Sequence, residues 1–212
     1  MEHTAVIFIE KCTPNTLIEF KDIISHSIIK NLENWSLEFR TYRSIFKDKK
    51  NPNNNSLLYS INLTQFNKTI LIKDGEIILN TVNFNDIPKE LLFNGCNNGS
   101  SMSIDKLITN KLSNMWSNRQ SIRGENGESF VCNNKLIVRI INLFSLTGFK
   151  GMLIEIENYD KKMETQEFNN HVDKICEFLN DIKVKDYKIN KDRTDEDEFL
   201  CDLGQQYVSV LE

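Results

Sequence analysis

The chain has 212 residues, with 26 Lys and Arg against 30 Asp and Glu, and a formal charge of −4. A chain this long buries roughly 70% of its unfolded surface, so one domain over residues 1–212 needs no disulfide or metal staple. The mildly acidic balance excludes a general nucleic-acid binder, which carries a strong positive excess, and leaves room only for a local basic patch.

Targeting and redox signals are weak. The start, Met1 to Glu10, lacks a positive leader and is too short in apolar residues for a signal peptide. No run approaches the ~20 apolar residues of a membrane span. Cys12, Cys96, Cys132, Cys176 and Cys201 are odd in number and include no C-x-x-C, so they read as reduced, buried thiols of an intracellular protein.

Residues 4–10 predict a short apolar strand. Thr13 and Pro14 then predict a helix over 14–30, with Thr13 as its cap and Leu17, Phe20, Ile24 and Ile28 on its buried face. From Trp35 the period changes to two: Trp35, Leu37, Phe39 and Thr41 share one face of a strand, and Glu38, Arg40 and Tyr42 the other. The polar stretch 47–56 predicts a mobile loop. Strands follow over 57–66 and 69–73, and Asp74-Gly75 predicts a hairpin turn into 76–82. Residues 86–102 read as irregular, and Ser103 caps a helix over 103–116 with Ile104, Leu107, Ile108, Leu112 and Met115 inward.

Asn126-Gly127 predicts a further hairpin. The strand Leu136–Phe144 is apolar on both faces and must be covered on both. Past a turn at Thr147-Gly148 comes Gly-Met-Leu-Ile-Glu-Ile-Glu, residues 151–157. Phe168, Val172, Ile175, Leu179 and Ile182 mark an amphipathic helix. A charged linker, 185–198, leads to a last helix with Leu200, Leu203, Tyr207 and Val210 inward. About eight mostly hairpin-linked strands with helices set apart give an α+β class, and closing such an antiparallel sheet into a β-barrel removes its edges.

The sharpest candidate chemistry is at Glu155 and Glu157. Two positions apart on a strand, they share a face and could hold a divalent metal for phosphohydrolysis. Such a site needs carboxylates from a second strand and several inward cations. No second strand-borne Glu-x-Glu is found, Glu196 and Glu198 fall in the linker, and Arg139 and Lys150 are few. His3, His26 and His171 lack motif context and read as surface or boundary residues, and no phosphate loop or nucleophile elbow occurs. Phe39-Arg40-Thr41-Tyr42-Arg43 interleaves aromatics and arginines but splits them between two faces, so no base-stacking array forms. Phe144, Leu146 and Phe149 gather at a turn, either buried under a loop or forming a partner surface.

Several stretches in order carry a family resemblance: Thr4–Glu10, Thr13–Leu17, Phe39–Arg43, Leu71–Asp74, Asp86–Pro88, Phe93–Gly95, Lys111–Asn114 with Trp116, Val138-Arg139 with Asn142–Ser145, Thr147–Gly151, Cys201–Leu203 and Gln206–Val208. Together they resemble Mediator of RNA polymerase II transcription subunit 20 in its budding-yeast form, over nearly the whole chain. The resemblance implies a single antiparallel β-barrel of about eight strands flanked by helices, similar to the triphosphate-tunnel barrel of RNA triphosphatases, without catalysis or cofactor. It implies a heterodimer with Mediator subunit 18 in the head module, a tether to Mediator subunit 8 through subunit 18, and a link to the TATA-binding protein. It further implies a coactivator role toward RNA polymerase II, in the nucleus, with no membrane and no direct sequence-specific nucleic acid. On this basis Glu155 and Glu157 are expected to be an outward or vestigial pair, with metal-dependent triphosphate hydrolysis as the alternative. The partner surface is expected around Leu136–Phe144 and the turn with Phe144, Leu146 and Phe149.

Overall fold

Fourteen α-helices and β-strands occur among the described residues. In chain order they are β1 (Thr4–Ile9), α1 (Thr16–Ile24), β2 (Ile28–Asn31), β3 (Trp35–Ser44), β4 (Leu57–Leu63), β5 (Lys68–Lys73), β6 (Glu76–Thr81) and α2 (Ile104–Lys111). Then follow β7 (Trp116–Cys132), β8 (Leu136–Ser145), β9 (Gly148–Asn158), α3 (Thr165–Asp181), β10 (Lys188–Asn190) and α4 (Phe199–Leu211). The computed structural model describes residues 2–46, 56–81, 104–193 and 199–212. All but Ser56 of the expected loop 47–56, the irregular stretch 86–102, Ser103, Cys96 and Glu196–Glu198 lie outside these residues. Every strand pair described below is antiparallel, in keeping with the α+β class expected from the sequence.

The contacts divide the chain into two units, Met1–Ser36 with Ile122–Glu212, and Leu37–Ser121. In the first, β10, β1, β9, β8 and the end of β7 lie side by side, with β2 also on β7. One face of this sheet, including Ala5, Ile7, Ile9, Val138, Ile140, Met152, Ile154 and Ile156, packs against Phe20 and Ile24 of α1 and Phe168, Val172, Ile175 and Leu179 of α3. The four-three-four stepping of α3 is what lines those side chains up along one stripe. The other face carries Val6, Leu153 and Glu155, and α4 lies on it. Strands β8 and β9 are therefore buried on both sides, which is why they read as nearly continuous apolar runs.

In the second unit β3, β4, β5 and β6 form a meander. Alternation buries Leu37, Phe39 and Thr41, while Tyr42 packs on the opposite face with Leu71 of β5 and Ile108 of α2. The β5–β6 hairpin turns at Asp74 and Gly75, whose φ angles of 52° and 86° match a type I′ turn.

Five local expectations are corrected. Thr13 does not cap α1: the helix begins at Thr16 after Asn15, and Thr13 uses its backbone instead, its carbonyl accepting from Thr16 N at 3.0 Å and its N–H donating to Thr16 Oγ1 at 3.2 Å. The same helix stops at Ile24, because Ile28 pairs with Cys132 as the start of β2, so strand pairing overrides a spacing that fits a longer helix. In α2 Ile108 is buried, but Leu107 is 43% exposed, and Met115 is 40% exposed because the helix ends at Lys111 and Met115 lies beyond it.

Asn126-Gly127 is a bulge inside the 17-residue β7, not a hairpin. The pairing with β8 slips by one residue between Arg123 and Glu128, and Asn126 takes the φ of 56° that the bulge demands. Gly127 is required there because a Cβ would lie 2.5 Å from the buried Trp35 indole nitrogen. Finally, the linker 185–198 is not irregular throughout: Lys188–Asn190 form β10, paired with Val6–Phe8 of β1.

Candidate functional site

Register on the β8–β9 hairpin decides the chemistry at Glu155. Next to the turn, Ser145 pairs with Gly148 and Phe144 with Phe149. Continued without interruption, that register would set Ile154 opposite Arg139 and turn Glu155 to the other face. A bulge intervenes: Leu143 pairs with Gly151, leaving Lys150 as the extra residue, and Arg139 therefore faces Glu155. Gly151 makes the bulge possible, with φ of 149° and the Ile9 carbonyl where a Cβ would stand.

The result is a closed charge cluster. Arg139 Nη1 donates to Glu155 Oε1 and to Glu157 Oε2, each at 2.7 Å. Tyr207, on α4, donates its hydroxyl to Glu155 Oε2 at 2.5 Å. Glu155 and Tyr207 are fully buried, and the Arg139 side chain is 7% exposed. Burial pushes the Tyr207 phenol well above its ordinary value, and the Glu155 carboxylate adds to it. Burial likewise raises Glu157, against the lowering effect of Arg139. Burial works against the charge on Arg139, but the two carboxylates outweigh it and hold its pKa above the usual value.

The expected outward placement of Glu155 and Glu157 is thus overturned. They do share a face, but that face is covered by α4, and Glu155 spends both oxygens on Arg139 and Tyr207. A metal would have to displace a guanidinium already held by two carboxylates. Among the described residues no group of three His, Cys, Asp or Glu is placed to hold a metal ion, and no helix is long and apolar enough to cross a membrane. Arg139 was visible in the sequence; its partnership lay hidden in the bulge. Tyr207 was expected inward only as an apolar residue.

Other polar contacts clamp α4. Gln206 Nε2 donates to the carbonyls of Thr4 and Asp192, both at 3.0 Å, and Asn190 Nδ2 to Ser209 Oγ at 3.1 Å. Asp202, 3% exposed, faces Arg193 at 3.8 Å. His3 joins this clamp, and its reading as a surface residue is corrected: it is 2% exposed, stacked on Phe168 at 5.4 Å, with Nε2 3.2 Å from the Met163 carbonyl and Nδ1 3.4 Å from Arg193 Nη1. The Met163 carbonyl can only accept and Arg193 can only donate, so both contacts suit a neutral imidazole with its proton on Nε2. Burial and then the Arg193 charge lower its pKa from 6.5.

Because the unfolded chain takes up the proton first, stability is complete above pH 6.5 and falls as the pH drops below it toward the depressed folded value. Thermal melts should therefore drop more steeply from pH 7 to about 5 in the parent than in His3→Gln. Parallel curves would remove His3 as the cause.

The remaining site candidates are on the surface or already paired. At the hairpin tip Phe144 is 46% and Leu146 100% exposed, and Phe149 is half-buried against Phe144, edge to face with centroids 5.5 Å apart. Gly148 at φ of 114° and a Ser145–Thr147 hydroxyl contact of 2.9 Å fix the turn. Arg40 is ion-paired to Glu38 at 2.6 Å. Cys12, Cys132, Cys176 and Cys201 are unbridged, and burial raises Cys132 to about 11.

A carboxylate pair spent on locking a helix to a sheet defines a structural class, an antiparallel α+β protein with a charged core and a projecting apolar tip. The whole chain, residues 1–212, matches the family described as TATA-binding related factor of subunit 20 of the Mediator complex. The chain belongs to that Mediator subunit 20 family. It is 42% identical to the Mediator of RNA polymerase II transcription subunit 20 of Saccharomyces cerevisiae over 215 residues, and 42% to that of Eremothecium gossypii, with all of each chain covered. The corresponding subunit of Kluyveromyces lactis is 32% identical, again over the full length of both. Among solved structures, the PH1819 protein of Pyrococcus horikoshii is similar at a TM-score of 0.44 and 13% identity, covering 97% of this chain and 99% of that one. A chain of the Schizosaccharomyces pombe Mediator head module gives 0.41 and 8%, covering 85% and 96%.

Proposed function

We propose that this chain is a non-catalytic subunit of the Mediator head module, where it pairs with Mediator subunit 18 and serves RNA polymerase II transcription as a coactivator in the nucleus. Links to Mediator subunit 8, through subunit 18, and to the TATA-binding protein belong to the same proposal. Full-length kinship to subunit 20 proteins supports it, and so does the charged cluster: groups that could have bound a metal or phosphate are consumed in holding α4.

The observation that carries the pairing is the hairpin tip. Leu146 stands wholly in solvent on a turn pinned by its own hydroxyls, beside the Phe144–Phe149 pair. A rigid apolar projection is costly to leave in water and loses little entropy on docking, as an interface anchor should. Leu146→Asp and Phe149→Asp should each cut the yield of the subunit 18 complex about tenfold or more in tagged co-expression. Leu146 touches little else, so its variant should keep the parent melting temperature. Undiminished complex with both variants would place the interface elsewhere.

A further inference from the structure

We propose that Ile45, Phe46 and Met115, flanked by Arg43 and Lys111, form a docking surface for an acidic amphipathic segment of a partner protein. Three features converge on it. First, the apolar groups are exposed, and their backbones are neighbours along the chain or across one hydrogen bond: Ile45 at 51%, Phe46 at 63% and Met115 at 40%. Ile45 N donates to the Met115 carbonyl at 2.9 Å, so the residues after β3 lie beside those entering β7. Single exposed apolar residues need no explanation, whereas three held together at one spot do.

Second, the patch is preorganised. Ser44 Oγ accepts from Phe46 N at 3.2 Å and donates to the Phe46 carbonyl at 3.1 Å, so one hydroxyl holds both backbone groups of the most exposed aromatic. Met115 N donates to the Leu112 carbonyl at 2.9 Å, which ties that side of the patch to the end of α2. Little ordering is left to be lost on binding.

Third, the charge points to the partner. Residues 37–121 carry 11 Lys and Arg against 7 Asp and Glu, while the rest of this acidic chain carries 15 against 23. The two units therefore have opposite signs. Arg43 and Lys111 are exposed at the patch, and the Arg43 carbonyl accepts from Ser117 Oγ at 3.3 Å. Apolar anchors inside a basic rim complement a segment with Leu and Phe on one stripe and Asp and Glu around it.

The surface lies in a different unit from the hairpin tip, so its test and that of subunit 18 pairing can fail separately. The full chain would be titrated against a labelled synthetic peptide of about 18 residues, with Leu and Phe at i, i+3, i+4 and i+7 and Asp and Glu elsewhere. A Lys/Arg twin of that peptide and a single-stranded oligonucleotide serve as competitors in class. The acidic peptide should bind, Phe46→Ala should weaken it about tenfold, and Arg43→Glu with Lys111→Glu should weaken it and flatten its dependence on salt. Leu146→Asp should leave it unchanged. Tighter binding of the basic twin or the oligonucleotide, no binding of the acidic peptide, or indifference to Phe46→Ala would each overturn the proposal.

Discussion

Arg139→Ala should cost about 3–5 kcal/mol of folding stability, among the largest effects of any single substitution in the chain. The change takes the guanidinium from the buried carboxylate of Glu155 and from Glu157 beside it. An ion pair taken out of water stabilises little in itself, but one charge left alone there is expensive. Urea unfolding should show a lower midpoint with an unchanged slope. The fourfold change Arg139→Met, Glu155→Leu, Glu157→Gln and Tyr207→Phe should recover much of the loss, since no uncompensated charge then stays at the core. A loss under about 1 kcal/mol for Arg139→Ala would mean that the cluster is wetter than its burial implies.

Gly151→Ala is the second large effect, at about 2–4 kcal/mol, from backbone strain at positive φ plus overpacking. A Cβ there would lie 2.3 Å from the Ile9 carbonyl oxygen and 2.8 Å from the Phe8 ring, and backbone cannot step aside as a side-chain end could. Gly148→Ala isolates the strain alone: its φ is 114° and nothing lies within 4 Å of the added carbon, so it should cost only about 1–2 kcal/mol. Equal losses for the two would deny the close approach at Ile9. The Gly151 variant should also disturb the Arg139–Glu155 pair, because the bulge sets which residue faces Arg139.

That dependence explains what could be read in the sequence. The i, i+2 spacing put Glu155 and Glu157 on one face correctly, and stripes such as Phe168–Val172–Ile175–Leu179 located α3 without ambiguity, since each rests on a period that the backbone enforces. A bulge has no period. One residue at Lys150 exchanged the faces opposite Arg139, and one at Asn126-Gly127 turned a hairpin signal into a long bent strand. Both glycines were visible, but the atoms that require them, the Ile9 carbonyl and the Trp35 indole, come from far along the chain. The same holds for His3 and Gln206, polar residues whose burial follows from partners at Met163, Arg193, Thr4 and Asp192. Surface features were partly legible: Leu146 stood out at its turn, while Ile45 and Met115 gave no sign of meeting.

The most direct measurement is the mass, by size-exclusion with light scattering, of this chain co-expressed with the Mediator subunit 18 of its own species. A stable one-to-one complex is predicted for the parent, and dissociated chains for Leu146→Asp. A monomer that ignores subunit 18 would contradict the pairing, and a complex indifferent to Leu146 would leave the hairpin tip without its assigned role.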